Sequence, residues 1–147
     1  MRYLLDTRVL IWALIDSDYL PQRFVYTLRS KYNEIFFSAA SIWEIATIRE
    51  VTYWAPGFSA AEIAEAARAT GFIELSVRSD AAAKVPTLAP IHDDPFDRIL
   101  IAQAMIEPAR LLTTDEYLRG YSDIVEVIKK ETDPLCRRYG AFPGTAR

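Results

Sequence analysis

Four acidic residues stand where a chain of alternating strands and helices would gather them. Asp6 directly follows the apolar run Tyr3-Leu4-Leu5. Glu44 closes the stretch Phe36-Phe37-Ser38-Ala39-Ala40-Ser41-Ile42-Trp43-Glu44. Asp97 lies in Asp94-Pro95-Phe96-Asp97-Arg98, and Asp115 ends Leu111-Leu112-Thr113-Thr114-Asp115. Each sits at or just after the carboxyl end of an expected strand, or in the first turn of an expected helix. Four carboxylates in one cleft repel and raise one another's pKa values unless a cation sits among them. An all-carboxylate site suits a hard cation with oxygen ligands, Mg²⁺ or Mn²⁺. Such a cation can lower the pKa of a water, orient a phosphate and stabilise a leaving oxygen, and two of them roughly 4 Å apart would clamp both reacting groups. The chemistry that follows is phosphodiester hydrolysis. The sequence has no Gly-rich phosphate loop and no Ser/His/Asp order with a nucleophile elbow.

Each acid also has a purely structural explanation. Ser41-Ile42-Trp43-Glu44 matches a capping box, in which Glu44 would only satisfy a backbone N–H. Asp94-Pro95 is an N-cap followed by proline at the first helical position, and Asp97 would then complement the helix dipole. Thr113…Glu116 is a second possible capping box with Asp115 in its first turn, and Asp6 can cap the helix that follows it.

The elements that must position these residues alternate along the chain. Strands are expected at Arg2–Leu5, Glu34–Phe37, Phe72–Val77, Arg110–Leu112 and Ile124–Val127. Helices are expected at Thr7–Ile15, apolar nearly all round; around Leu20, Phe24 and Leu28, which recur every four residues; and at Ala39–Glu50. Further helices are expected at Ser59–Ala69 with Ser59 as N-cap and Gly71 as terminator, at Ser79–Val85 stopping at Pro86, at Pro95–Ile106, and briefly near Asp115. Strands alternating with helices predict an α/β fold with a mainly parallel sheet, helices on both faces and right-handed crossovers. Ligands in such folds bind at the carboxyl ends of the strands, where all four acids are expected. Residues 1–128 are expected to form this domain, and 129–147, polar with Pro and Gly, a C-terminal tail or arm.

Composition narrows the classes. The 147 residues suit one domain, 51% of them hydrophobic and 25% charged, as in soluble globular proteins. No apolar run approaches the ~20 residues needed to cross a bilayer. The acid at position 6 comes too early for a signal peptide, so no membrane association and a cytoplasmic location are expected. A single cysteine, Cys136, excludes an intrachain disulfide and multi-cysteine zinc sites, and a single histidine, His92, excludes sites built from several histidines. A net charge of −3 is not that of a simple electrostatic nucleic-acid binder, though bound cations can invert the sign locally.

Four segments in order resemble the motifs of the PIN-domain nucleases, and among them the VapC-type toxins of toxin–antitoxin pairs. They are Tyr3-Leu4-Leu5-Asp6-Thr7-Arg8-Val9-Leu10-Ile11-Trp12, Ser38-Ala39-Ala40-Ser41-Ile42-Trp43-Glu44-Ile45-Ala46, His92-Asp93-Asp94-Pro95-Phe96-Asp97-Arg98-Ile99-Leu100-Ile101-Ala102-Gln103-Ala104 and Leu111-Leu112-Thr113-Thr114-Asp115. The resemblance implies a three-layer α/β/α sandwich with a mainly parallel central sheet. It also implies Mg²⁺- or Mn²⁺-dependent endoribonuclease activity, an RNA substrate, an antitoxin partner and frequent homodimers. Asp6, Glu44, Asp97 and Asp115 match the family's catalytic, metal-holding acids. Thr7 and Thr114 would fix those carboxylates from behind, and Asp94 would either join them or only cap its helix. Position 8, often histidine in relatives of this subgroup, is Arg8. The stretch from Arg49 to Phe58 differs from the Lys- and Gly-containing segment common there, which bears on substrate and antitoxin specificity more than on catalysis.

The remaining candidates divide between chemistry and structure. Arg8 and Arg98 can contact phosphate, and Arg98 can instead form an ion pair near its helix start. His92 reads as a structural or surface histidine more readily than as a general base. Part of an aromatic surface drawn from Trp12, Phe24, Tyr53 and Trp54 is a candidate groove for an antitoxin helix, provided Trp12 and Phe24 are not fully buried. An aspartate-nucleophile phosphatase would want a second Asp two residues after Asp6, where Arg8 stands. The non-enzymatic rival is a catalytically silent PIN-like module that binds RNA or protein.

Overall fold

The computed structural model describes residues 1–15, 17–47 and 57–128. The expected helix end at 48–50, Tyr53, Trp54 and the tail from 129 with Cys136 lie outside the described residues. The chain runs β1 (Arg2–Leu5), α1 (Thr7–Ile15), α2 (Gln22–Arg29), β2 (Glu34–Ser38), α3 (Ala39–Thr47), α4 (Ala60–Thr70), β3 (Ile73–Leu75), α5 (Ser79–Lys84), α6 (Pro95–Ile106), β4 (Arg110–Thr113) and β5 (Val125–Val127). Short 3₁₀ turns lie at Ser17–Tyr19, Val85–Thr87 and Glu116–Tyr121.

The five strands form one sheet in the order β3-β2-β1-β4-β5, with every pairing parallel. Alternation along each strand sends side chains to opposite faces. Tyr3, Leu5, Ile35, Phe37 and Leu112 face one core, filled by Val9, Leu10, Ile11 and Trp12 of α1, Phe24 and Val25 of α2, Ile45 of α3 and Ile63, Ala64 and Ala67 of α4. Leu4, Phe36, Leu111, Val125 and Val127 face the other, filled by Ala81 of α5 and Leu100, Ile101 and Ala104 of α6. The result is the expected α/β/α sandwich. Buried on both faces, the central strands are continuous apolar runs instead of alternating ones.

Register levels the strand ends. Leu5 pairs with Phe37 on one side and with Leu112 on the other. The chain leaves β1 toward β2 and β3, then returns past β1 to β4 and β5, so the strand order reverses between β1 and β4. In an open α/β sheet that reversal splays the helices apart and leaves a crevice at the strands' carboxyl ends. Asp6 and Asp115 follow the two strands that flank it.

Local rules fix the helix ends. Ser59 accepts a hydrogen bond from Glu62 N at 3.1 Å, and Gly71 ends α4 with φ of 100°. Only glycine adopts that left-handed conformation without strain. Helix α2 begins at Gln22, two residues after Leu20, because Pro21, with no N–H to donate, stands at its N-cap. The strand expected over 72–77 shortens to Ile73–Leu75, since β3 is an edge and pairs only with β2. The turn through Pro86 continues α5 as a 3₁₀ segment and does not stop it outright.

Trp12 and Phe24 are each 3% exposed, so neither belongs to a docking groove. Their aromatic surface is spent on the core, so these two residues do not form the groove expected from them.

One buried polar link joins the layers at the crevice end. Ser38 Oγ donates to Gln103 Oε1 at 2.6 Å and accepts from Ala40 N at 3.0 Å, while Gln103 Nε2 donates to Ser76 O at 3.3 Å. It ties the end of β2 and the start of α3 to α6 and to the chain leaving β3. Replacing Gln103 with leucine keeps the volume but removes both of its hydrogen bonds. The expected cost is about 1–3 kcal/mol for the buried partners left behind, read as a lower urea midpoint at unchanged m-value; an unchanged midpoint would mean that the link contributes nothing to stability.

Candidate active site

Asp6 caps α1. Its Oδ1 accepts from Val9 N at 2.8 Å and its carbonyl accepts from Leu10 N, while its own N–H donates to Leu112 O at 3.0 Å across the sheet. The carboxyl group is therefore locked at the β1/β4 boundary. Burial raises its pKa above the ordinary 3.8, and hydrogen bonds from the Thr113 side chain, Val9 N and the Thr114 backbone, with the nearby charge of Arg8, oppose that rise. Desolvation is the larger influence.

Asp115 caps the 3₁₀ turn that follows β4. Its Oδ1 accepts from Tyr117 N at 2.9 Å. The capping box expected at Thr113…Glu116 does not form: Glu116 pairs with Arg119 at 3.2 Å, and Thr113 Oγ1 accepts from Asp115 N at 3.0 Å. The Thr113 hydroxyl thus joins Asp6 to the backbone of Asp115. Thr114, expected to brace the site with its side chain, reaches Asp6 through its backbone. Thr113 ends β4 and Thr114 begins the bend that follows it.

Asp97 occupies the first turn of α6. Asp94 caps that helix, accepting from Phe96 N at 2.9 Å and from Asp97 N at 3.4 Å, with Pro95 at the first helical position. The cap role expected of Asp94 is the one it fills. Glu44 lies well inside α3 and is 2% exposed. Because α3 starts at Ala39, Ser41 is inside the helix and cannot cap it, so the Ser41…Glu44 capping box fails; Ser38 serves as the side-chain acceptor at that end.

The structure also brings in His92, a lone histidine expected to be structural or on the surface. Its Nδ1 lies 3.8 Å from Asp97 Oδ2 and its Nε2 lies 3.6 Å from Asp115 Oδ2. Donor atoms of His92, Asp97 and Asp115 all fall within 4.8 Å of one another. Asp94 N donates to His92 Nδ1 at 3.1 Å, which assigns the ring proton to Nε2, facing Asp115. Asp97 and Asp115 are thus brought together directly. Asp6 is linked to the Asp115 backbone through Thr113, and Glu44 lies buried on α3, whose Trp43 meets Phe96, the neighbour of Asp97. Among the described residues the cluster with ligand atoms close together comprises His92, Asp97 and Asp115, without Asp6 or Glu44.

Arg98 points away from phosphate chemistry. Its Nη1 lies 3.2 Å from each of Ala89 O, His92 O and the Tyr121 hydroxyl, and its Nη2 donates to Val85 O at 2.9 Å. The guanidinium fastens the 85–92 loop, and with it His92, to the body of the domain, in place of the expected ion pair or substrate contact. Arg8 stays beside Asp6, its guanidinium 5.9 Å from the Trp12 ring.

These residues fit a divalent cation. Asp115 Oδ2 accepts no hydrogen bond among the described residues, and the buried hydroxyls of Thr7 and Ser41 have no partner there either. Thr7 follows Asp6, and Ser41 lies one turn before Glu44, so unsatisfied buried polar atoms attend three of the four acids. A hard cation with its waters supplies the charge and the hydrogen-bonding partners such a set lacks.

The raised pKa of Asp6 sets the sign of a pH effect. An acid whose folded pKa exceeds its unfolded value stabilises the fold fully below the unfolded value, and that contribution is lost as pH rises through the folded one. Without metal, the melting temperature of Asp6→Asn relative to the parent should therefore be higher at pH 7 than near pH 4. Mg²⁺ or Mn²⁺ should then raise the parent's melting temperature and not the variant's. A difference independent of pH would show that Asp6 is not a desolvated carboxylate.

Comparison with known proteins accords with this arrangement. No curated protein sequence gives a significant match. Among solved structures, the crystal structure of VapBC2 from Rickettsia felis bound to a DNA fragment from their promoter superposes with a TM-score of 0.63 at 15% identity, covering 88% of this chain and 100% of that one. At that identity the likeness speaks for the fold. The PIN domain model matches residues 3–123, from the first strand to the turn beyond Asp115. The chain belongs to the PIN domain family.

Proposed function

We propose that this protein is a Mg²⁺- or Mn²⁺-dependent endoribonuclease acting as the VapC-type toxin of a toxin–antitoxin pair. The observation that carries the reading is the gathering of Asp97, Asp115 and His92 beside the desolvated Asp6 at the sheet's switch point. The four motif resemblances and the VapBC2 fold likeness support the same assignment.

In this reading Asp6, Asp97 and Asp115 hold the cation, and Glu44 holds a cation or orients the attacking water. A bound cation would supply Lewis acidity toward the phosphate and a lowered pKa for water. The protein's own residues arrange this. Thr113 keeps Asp6 and the Asp115 backbone in register, His92 presents Nε2–H toward Asp115, and Arg98 secures the loop carrying His92. Arg8, whose charge acts on Asp6, would meet the substrate there. The substrate is RNA in single strands or loops, whose backbone can enter a recessed cleft. An antitoxin partner, a homodimer and a cytoplasmic location complete the proposal; among the described residues no helix is long and apolar enough to cross a membrane.

The test is cleavage of a total-RNA pool by the purified, antitoxin-free protein with Mg²⁺ or Mn²⁺. Cleavage should disappear with EDTA and fall by orders of magnitude in Asp97→Asn at unchanged fold. Cleavage surviving in that variant would place the active site elsewhere, and a folded parent that cuts no RNA would favour a silent binding module.

A further inference from the structure

Two of the acids carry an aromatic residue immediately before them. Trp43 precedes Glu44 on α3, and Phe96 precedes Asp97 on α6. On a helix consecutive side chains diverge by about 100°. While Glu44 and Asp97 turn into the buried site, the aromatics therefore emerge beside it, one from each helix. They meet there edge to face, with ring centroids 5.1 Å apart and planes at 63°. Phe96 is half-buried and braces the pair, whereas Trp43 is 63% exposed. The other described tryptophan, Trp12, is buried in the core. An exposed indole fixed by a neighbouring ring, next to a phosphate-handling site, is a flat π surface already ordered for a stacking partner.

Charge points to the partner. A net charge of −3 attracts no polyanion at long range, and Arg98, the basic residue next to Asp97, is consumed by the 85–92 loop and Tyr121. Contacts that do not depend on charge would therefore complement Arg8 and a bound cation in holding a nucleic acid. Stacking of an unpaired base on an aromatic ring is such a contact, and it tolerates any base because every base has a π face.

We propose that Trp43, braced by Phe96, is a nucleobase-binding subsite that stacks one unpaired base of a single-stranded RNA beside the scissile position. The inference rests on the nuclease reading for its location. Its test is binding, so the two can fail separately.

The experiment uses the full chain carrying Asp6→Asn, to prevent turnover, in Mg²⁺. A short fluorescently labelled single-stranded RNA is titrated by anisotropy, beside the same oligonucleotide with abasic sites, a duplex, and a single-stranded DNA. The parent background should bind the base-bearing single strand best and quench its own tryptophan emission on binding. Trp43→Ala should weaken that binding about tenfold or more, the scale of one lost base stack, and leave abasic binding unchanged. Trp43→Tyr should restore most of it. Equal binding of base-bearing and abasic strands, or Trp43→Ala without effect while circular dichroism reports a folded chain, would overturn the proposal and hand the exposed ring to a protein partner. Preference for RNA over DNA would place further contacts at the 2′-hydroxyl, whereas indifference would leave stacking as the main contact; either keeps the subsite. If the parent cleaves no RNA yet shows the tryptophan-dependent binding, the nuclease reading falls and the subsite stands.

Discussion

The carboxyl group of Asp6 is held out of water at the end of the central strand, and much of the structure serves to keep it there. It is buried, its backbone is pinned to β4, and its side chain is already caught by α1. A charge in such a place carries a desolvation cost that hydrogen bonds only partly offset. Asp97 and Asp115 then add negative charge nearby, with Glu44 buried on the adjacent helix. A fold that concentrates acids this way stores repulsion, and in the proposed reading a divalent cation would relieve it.

What surrounds the acids is a rigid frame. Thr113 fixes Asp6 relative to the Asp115 backbone, and Ser38 with Gln103 fixes the start of α3 relative to α6. Arg98 fastens the loop that delivers His92, a structural task in place of the phosphate contact or ion pair its position offered. Carboxylates useful for metal chemistry must be held within about 0.5 Å of working geometry. Each acid here comes from a strand end or a helix and not from a long free loop.

The acidity of the whole chain becomes coherent in this light. A basic protein would draw in nucleic acid indiscriminately through its phosphates. Among the described residues Arg98 is engaged by the 85–92 loop, so in the proposed reading attraction would rest on a bound cation, on Arg8 and on the aromatic pair. The ring proposed to stack a base is apolar surface exposed to solvent, and its neighbour Phe96 meets it edge to face, so it would be ordered before any ligand arrived.

The sequence by itself determined the alternation of strands and helices, the parallel sheet and the positions of the four acids, because these follow from local periodicity, cap residues and strand ends. Ser59, Gly71 and Asp94 act at their helix ends as their types require. Tertiary structure decided what local pattern leaves open. It refused the capping boxes at Ser41 and Thr113, since helix starts shift by a residue or two once packing is optimised. It buried Trp12 and Phe24 while exposing Trp43, a choice set by which helix face meets the sheet. It chose Thr113 over Thr114 as the side chain that reaches Asp6, and brought His92 to Asp115, 23 positions further along the chain. Contacts between residues far apart in sequence depend on how strands order and helices pack, and a lone histidine carries no local sign of the partners that packing will give it.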